Sequence, residues 1–381
     1  MPGRPVGLHG ASWVVRSLRD AGPIVELGLT DPLYLEDDAN VTLPLLNSIP
    51  YGVEHEVAQG VHVTLVDAGH ILGSSIVRMR LTAPGSGRDT VVVFSGDLGR
   101  PGTPILRDPT KLTEADIVLV ESTYGGREHE AEAVAVEELG RVVREAVEKR
   151  GVLLIPSFAI GRTQEIVWEL SRLLEAGRIP ELPVYLDSPM AKSASDIYRN
   201  HPEAYDEETA SLLREQHAPL DFPLQRIVQN VHESEAIARA NPPYAIVASN
   251  GMLTGGRSVL HAERLIDDPS ATILFVGYQG EGTLGGHLVR GADHARIMGR
   301  DMPVRATVKS LDGFSAHADE PELLAWLGNF VRGRRAGDPG VPARTYLVHG
   351  DPPAQEAMAP KVRELGLEVA IPSWHETVPL D

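Results

Sequence analysis

Four side chains able to hold a metal ion or move a proton stand at the ends of apolar runs, each close to a glycine or a turn. His70 closes VHVTLVDAGH, Asp97 follows the run in TVVVFSGDLGR, Glu121 ends the run in DIVLVESTYG, and His349 ends that in TYLVHGD. A run such as Val91, Val92, Val93, Phe94, without alternation, reads as a strand covered on both faces. The glycines after it permit the sharp turn that presents a side chain at the strand's mouth. Taken singly, each position reads as ordinary turn chemistry, since Asp-Gly is a common turn pair. Together they read as a site, because layered α/β sheets build sites where strand ends converge. Carboxylates and neutral imidazoles bind divalent cations, and an imidazole near its own pKa can protonate a departing oxygen, so the chemistry open to this set is metal-assisted hydrolysis.

The 381-residue chain is 42% hydrophobic and 23% charged, which suits a soluble globular protein long enough for two domains. It has no cysteine, so disulfides and thiolate metal sites are excluded and any zinc or iron needs His and carboxylate ligands. This fits a cytoplasmic protein. The opening MPGRPVGLHGASWVVRSLRDAG lacks the apolar core and cleavage site of a secretion signal, and no run is long enough to span a bilayer. A formal charge of −18 opposes attraction of nucleic acid by the molecule's overall field. Local basic candidates are Arg141, Arg144, Lys149 and Arg150, and Arg332, Arg334 and Arg335, although such runs are commonly solvated helix faces.

The elements that must position the strand-end residues follow from periodicity. Weak signals, with a short helix at 13–18, give way to strands at 61–66, 75–81 and 90–94, the last two joined by PGSGRD as a hairpin, so this part is antiparallel. A helix at 130–149 carries Val136, Leu139, Val143 and Val147 on one stripe. From Gly151 strand alternates with helix through GVLLIPSF, PVYLDSP, YAIVASNG and ATILFVG, which predicts parallel α/β architecture. A different section begins with VRATVKSLDGFSAHAD, followed by a helix at 321–332, the run before His349, a helix ending near Leu365, and a last strand in LEVAIPS.

In order, DAGHILGSS, SGDLGR, ESTYG, PSFAIGRTQE, DSPMA, SNGMLTGGR, FVGYQGEGTLGG, DGFSAHAD and LVHGD resemble the successive motifs of the β-CASP branch of the metallo-β-lactamase fold, the RNA-processing nucleases. The resemblance implies an α/β fold, a metallo-β-lactamase αββα sandwich with an inserted β-CASP domain, RNA entering the cleft between them. It divides the chain into 1–126 (metallo-β-lactamase domain, first part, truncated), 127–312 (β-CASP domain) and 313–381 (metallo-β-lactamase domain, second part). It implies zinc as cofactor, two ions in the complete family site, with His70 on one, Asp97 bridging both and His349 on the other. Asp97, Glu121 and His317 form the implied catalytic set, His317 as the acid that protonates the leaving oxygen. Arg162, Ser315 and the Gly255-Gly256-Arg257 turn are the implied substrate contacts, although a structural role is equally open for Arg162 and favoured for Arg257. Asn250 stands where Ser or Thr is expected. The implied partner is RNA, with no membrane, and a homodimer is left open.

The sequence departs from that pattern in one respect. The family's His-x-His-x-Asp-His signature is absent, since no two of the fourteen histidines lie closer than seven positions apart. Three of seven expected ligands remain, so the zinc site is expected to be incomplete and the activity of the chain impaired or absent. The expectation is a deleted or mis-set opening in a gene for a nuclease. A catalytically silent RNA- or partner-binding subunit is the alternative, and a small-ester hydrolase is disfavoured by the large insert.

Overall fold

The structure, a computed structural model, describes residues 34–82, 88–215, 220–373 and 375–378. The helix expected at 13–18 and the tip of the PGSGRD loop lie outside these residues. The chain divides into two compact units, Met1–Pro50 and Tyr51–Asp381. The first contains a helix at Glu36–Thr42, whose first turn carries Glu36, Asp37 and Asp38 at the end where the helix dipole favours negative charge.

In the second unit the strands are β1 (Glu54–Ala58), β2 (Val61–Asp67), β3 (Ser75–Thr82), β4 (Asp89–Phe94), β5 (Ile117–Glu121), β6 (Val152–Pro156), β7 (Val184–Asp187), β8 (Gln225–Ile227), β9 (Tyr244–Ala248), β10 (Thr272–Phe275), β11 (His294–Ile297), β12 (Arg300–Pro303), β13 (Thr307–Ser310), β14 (Arg344–Val348) and β15 (Val369–Ala370). One sheet runs β1-β2-β3-β4-β5-β14-β15 and another β13-β10-β6-β9-β7-β8. In the first, β1 to β4 are antiparallel, and β4, β5, β14 and β15 are parallel neighbours. The second sheet is parallel throughout. The expected hairpin, the antiparallel opening and the alternating strand–helix block are therefore all present. Sequence reading missed β1, whose EHEVA has no apolar run, and the β11–β12 hairpin, whose HARI and RDMP mix charged and apolar residues without an apolar run. It also placed a break before 304–310, whereas β13 pairs in register with β10 as the edge of the second sheet.

Burial explains both sheets. Along β6, Leu153 and Ile155 pack with Leu139, Val143, Ile166 and Leu170 on one face. Leu154 packs with Ile246, Ala262 and Ile273 on the other, so the strand is covered on both sides, as its continuous apolar run requires. In the first sheet Val93, Val118, Val120 and Leu347 face Trp326, Leu327 and Phe330 of the helix Glu320–Val331 and Met358 of the helix Pro352–Glu364. The former helix starts one residue before the expected position, because Asp319 accepts from the Glu322 amide at 3.0 Å while Glu322 accepts from the Asp319 amide at 2.9 Å. Among the described residues, no helix is long and apolar enough to cross a membrane.

Candidate active site

The parallel part of the first sheet sends its strand ends to one edge. Val348 lies opposite Glu121 in the register of β14 and β5, so His349, one residue on, emerges beside Glu121. His70 follows β2 in a loop tied by the Ser74 hydroxyl, which accepts from the amides of His70 at 3.1 Å and Ile71 at 3.2 Å. That loop meets the Asp97 turn backbone to backbone. The Gly99 amide donates to the Ala68 carbonyl at 2.8 Å, and a Cβ at Gly99 would lie 2.0 Å from the Gly69 carbonyl oxygen, so only glycine permits the contact.

Asp97 is the open member of the set. Its side chain is 41% exposed, one carboxylate oxygen 3.9 Å from His70 Nε2 and the other 3.4 Å from His349 Nε2. Both separations exceed the ~2.7–3.2 Å of a good hydrogen bond, leaving room for something between the groups. Glu121 is the opposite case. It is buried, accepts from the Leu98 amide at 2.6 Å and from the Thr123 hydroxyl at 2.6 Å, and faces His317 Nδ1 at 3.1 Å. His317 Nδ1 is thus occupied by a carboxylate, and its Nε2 is the ring nitrogen left for the cleft. The His317 ring centroid lies 4.4 Å from that of His70 and 6.0 Å from that of His349.

The electrostatics divide the histidines by role. Burial, then the charge of His317, pulls the His70 pKa down to about 4, so His70 is a neutral imidazole fit to be a ligand at neutral pH. Burial also pulls on His317, but the Glu121 carboxylate outweighs it and the pKa ends above the ordinary value, which favours an imidazolium with a proton to give.

One donor atom each from His70, Asp97 and His317 lie within 4.8 Å of one another, the only such group among the described residues, and His349 reaches the same carboxylate. Imidazole nitrogens with a carboxylate suit zinc or a similar divalent ion, and the separation of Asp97 from its histidine neighbours is what a shared cation would fill. The residues fit one such ion.

The expected substrate contacts sit differently. Arg162 is buried and paired with Glu165, and Arg257 is paired with the buried Asp187, so both guanidinium groups are engaged internally. Gly256 adopts a φ of +74° against the Ser249 carbonyl, and the Gly255 carbonyl accepts from the Asn250 amide at 3.3 Å, so this turn packs on the end of β9. Ser315 is buried beside Tyr124. The Asn250 side chain accepts from the Met252 amide at 2.7 Å. Four of the seven basic candidates are also spent at home, whereas Arg150, Arg332 and Arg335 are exposed. Arg141 binds Glu138 and Glu145, Arg144 binds Glu137, Lys149 meets Thr307, and Arg334 donates to backbone carbonyls.

Sequence reading missed Thr123, which steadies Glu121, and His129, whose Nε2 meets the His317 carbonyl at 3.1 Å and whose ring packs on Tyr124 at 4.2 Å. Thr123 and Tyr124 were visible inside ESTYG. His129 lies outside any apolar run and carried no signal.

A mixed sheet beside a parallel one, with histidines and carboxylates gathered at the strand ends of the first, defines a metal-dependent hydrolase scaffold. Residues 163–288 match the Beta-Casp domain family, and residues 301–372 match the Zn-dependent metallo-hydrolase RNA specificity domain. Over 352 residues the chain is 34% identical to a ribonuclease of Thermus thermophilus, covering 92% of this chain and 77% of that protein. It is also 34% identical over 334 residues to transcription termination factor FttA of Thermococcus kodakarensis, and 32% over 364 residues to that of Pyrococcus horikoshii. These alignments cover 84% and 92% of this chain and 49% and 53% of the archaeal proteins, so the chain spans about half their length. The chain belongs to the β-CASP family of metallo-β-lactamase-fold RNA nucleases.

Proposed function

We propose that this protein is a zinc-dependent ribonuclease that hydrolyses phosphodiester bonds in RNA held between its two sheets, with the inserted domain at 127–312 and the metal-bearing parts at 1–126 and 313–381. The observation that carries the reading is the hold of Glu121 on His317 Nδ1, beside a donor group of neutral histidine and open carboxylate. His70, Asp97 and His349 hold the ion, which when bound supplies Lewis acidity toward a phosphate oxygen. His70 contributes an uncharged nitrogen, and Asp97 contributes charge and spans the gap between His70 and His349. Glu121 orients the His317 ring and keeps it protonated, and His317 Nε2 delivers that proton to the leaving oxygen. Because these side chains furnish the ligands of one ion, turnover by this sequence alone is slow.

Zinc content after dialysis, measured alongside cleavage of end-labelled single-stranded RNA, tests the proposal. The expected result is no more than one zinc per chain, lost in His70→Ala, with weak cleavage that disappears in Asp97→Asn. Two tightly held zinc ions would overturn the one-ion site. RNA bound without cleavage by the metal-loaded protein would overturn the catalytic reading in favour of a silent RNA-binding subunit.

A further inference from the structure

A second concavity, of about 550 Å³, lies between the loop after β4 and the helix Arg162–Glu175. Its lining combines the apolar Pro104, Val136 and Leu173 with the acidic Glu132, Glu169 and Glu208, and on each of the helices Glu132–Glu148 and Arg162–Glu175 an acid stands one turn before an apolar residue, Glu132 before Val136 and Glu169 before Leu173. Glu169 is the unusual member. It is only 7% exposed and lines the cavity, yet among the described residues its carboxyl group accepts no hydrogen bond and joins no ion pair.

The nearby cations are committed elsewhere. Arg172 binds Glu208 and lies over the Trp168 ring at 5.7 Å, Arg178 binds Glu137, and Arg162 binds Glu165. Asp206 is occupied as a helix cap, accepting from the Thr209 amide at 2.6 Å. Glu132 and Glu169 are left over, and each has its pKa raised, first by burial. The charges of Glu132 and Glu165 add to the effect at Glu169, which reaches about 7. A carboxyl group buried without a partner is costly in either protonation state, and a cation from outside would remove that cost.

We infer that this cavity binds an aliphatic polyamine, its methylene chain along Pro104, Val136 and Leu173 and its ammonium groups on Glu169 and Glu132. The apolar lining residues distinguish this occupant from a bare metal ion, for which methylene-matching surface has no use. The donor spacing agrees, since these carboxylates are not among the groups close enough to share an ion. A stacked aromatic cation is disfavoured because Arg172 already lies over Trp168. The inference stands apart from the nuclease reading, which uses none of these residues.

The test is thermal melting and equilibrium dialysis of the full chain, freed of RNA, with spermidine, with putrescine and with magnesium chloride at matched ionic strength. Spermidine well above its dissociation constant should raise the melting temperature by about 2–5 °C and be retained at about one equivalent, with magnesium giving no comparable rise. Glu169→Gln keeps the shape of a carboxyl group that is half protonated near neutral pH, so it should fold and lose both signals, and Glu132→Gln should weaken them. Equal shifts in the wild type and Glu169→Gln, equal shifts with magnesium, or no retained spermidine in the wild type would each overturn the inference.

Discussion

Asp97 and Asp187 both stand at the end of a strand in a parallel array, and the structure treats them in opposite ways. Asp187 ends β7 with a side chain that is 0% exposed, accepting from His261 Nε2 at 2.6 Å and from Ser234 at 2.5 Å while pairing with Arg257. Asp97 has 41% of its side chain exposed and holds its two histidines at 3.4 and 3.9 Å. Both carboxylate oxygens of Asp187 are answered from within the fold. Asp97 is surrounded by partners that stop short of it. A carboxylate that the fold satisfies is part of the architecture, whereas one that the fold surrounds and leaves unsatisfied is waiting for an exogenous charge.

The sharpest way to break this contrast is to neutralise each acid. Asp187→Ala leaves Arg257 in a site built for a pair, so urea unfolding should show a loss of about 3–5 kcal/mol. Asp97→Asn should change stability by less than about 1 kcal/mol while abolishing zinc retention. A comparable loss of stability in both would mean that Asp97 is structural too. Next in size is His317→Ala, which should keep the metal and slow RNA cleavage by about 10² to 10⁴. A leaving group that needs no proton should rescue this variant and leave Asp97→Asn inactive. Metal lost from His317→Ala would reassign the residue as a ligand.

A third prediction concerns pH. The Glu169 carboxyl has its pKa raised from 4.5 to about 7 by burial and by Glu132 and Glu165, so the folded chain binds more protons than the unfolded one between those values. Its contribution to stability is therefore full below pH 4.5 and falls as pH rises toward 7. Comparing wild type with Glu169→Gln across this range should show the variant gaining relative stability as pH rises, by up to about 3 kcal/mol. A flat difference would mean that Glu169 has another partner in solution. The smallest effect expected is that of Thr123→Val, which removes one donor to Glu121 and should cost about 1 kcal/mol, read as a modest loss of turnover with metal content unchanged.

The same contrast shows what was legible in the sequence. Apolar runs ending beside glycine located His70, Asp97, Glu121 and His349, because a run buried on both faces has few alternatives to a parallel strand, and its end must face the sheet's edge. PVYLDSP follows the same pattern, but the chain proceeds from Asp187 directly into the helix Pro189–Asn200, and the acid is buried rather than presented. Whether a strand-end acid is open depends on residues far away, here Ser234, Arg257 and His261, that no local pattern links to it. The arginines mislead for a related reason. Arg162 beside a glycine and Arg257 after two glycines look like phosphate contacts, but their carboxylates, Glu165 one turn on and Asp187 on another strand, are found only in the fold. β1 was hidden because a charged strand can pair at a sheet's edge without an apolar run.

The order of the first sheet also bears on how the protein is made. β14 lies between β5 and β15, so Ile117–Glu121 has a bare edge until Arg344–Val348 has left the ribosome. All of the second sheet lies between those segments in the chain, so all of its strands are available before the first sheet can be completed. His349 is then delivered beside Glu121 in the same step that closes the edge, and the nascent chain has no assembled centre before Arg344–Val348 and His349 are synthesised. An early stop in translation therefore yields a sticky, inert fragment rather than an unregulated nuclease.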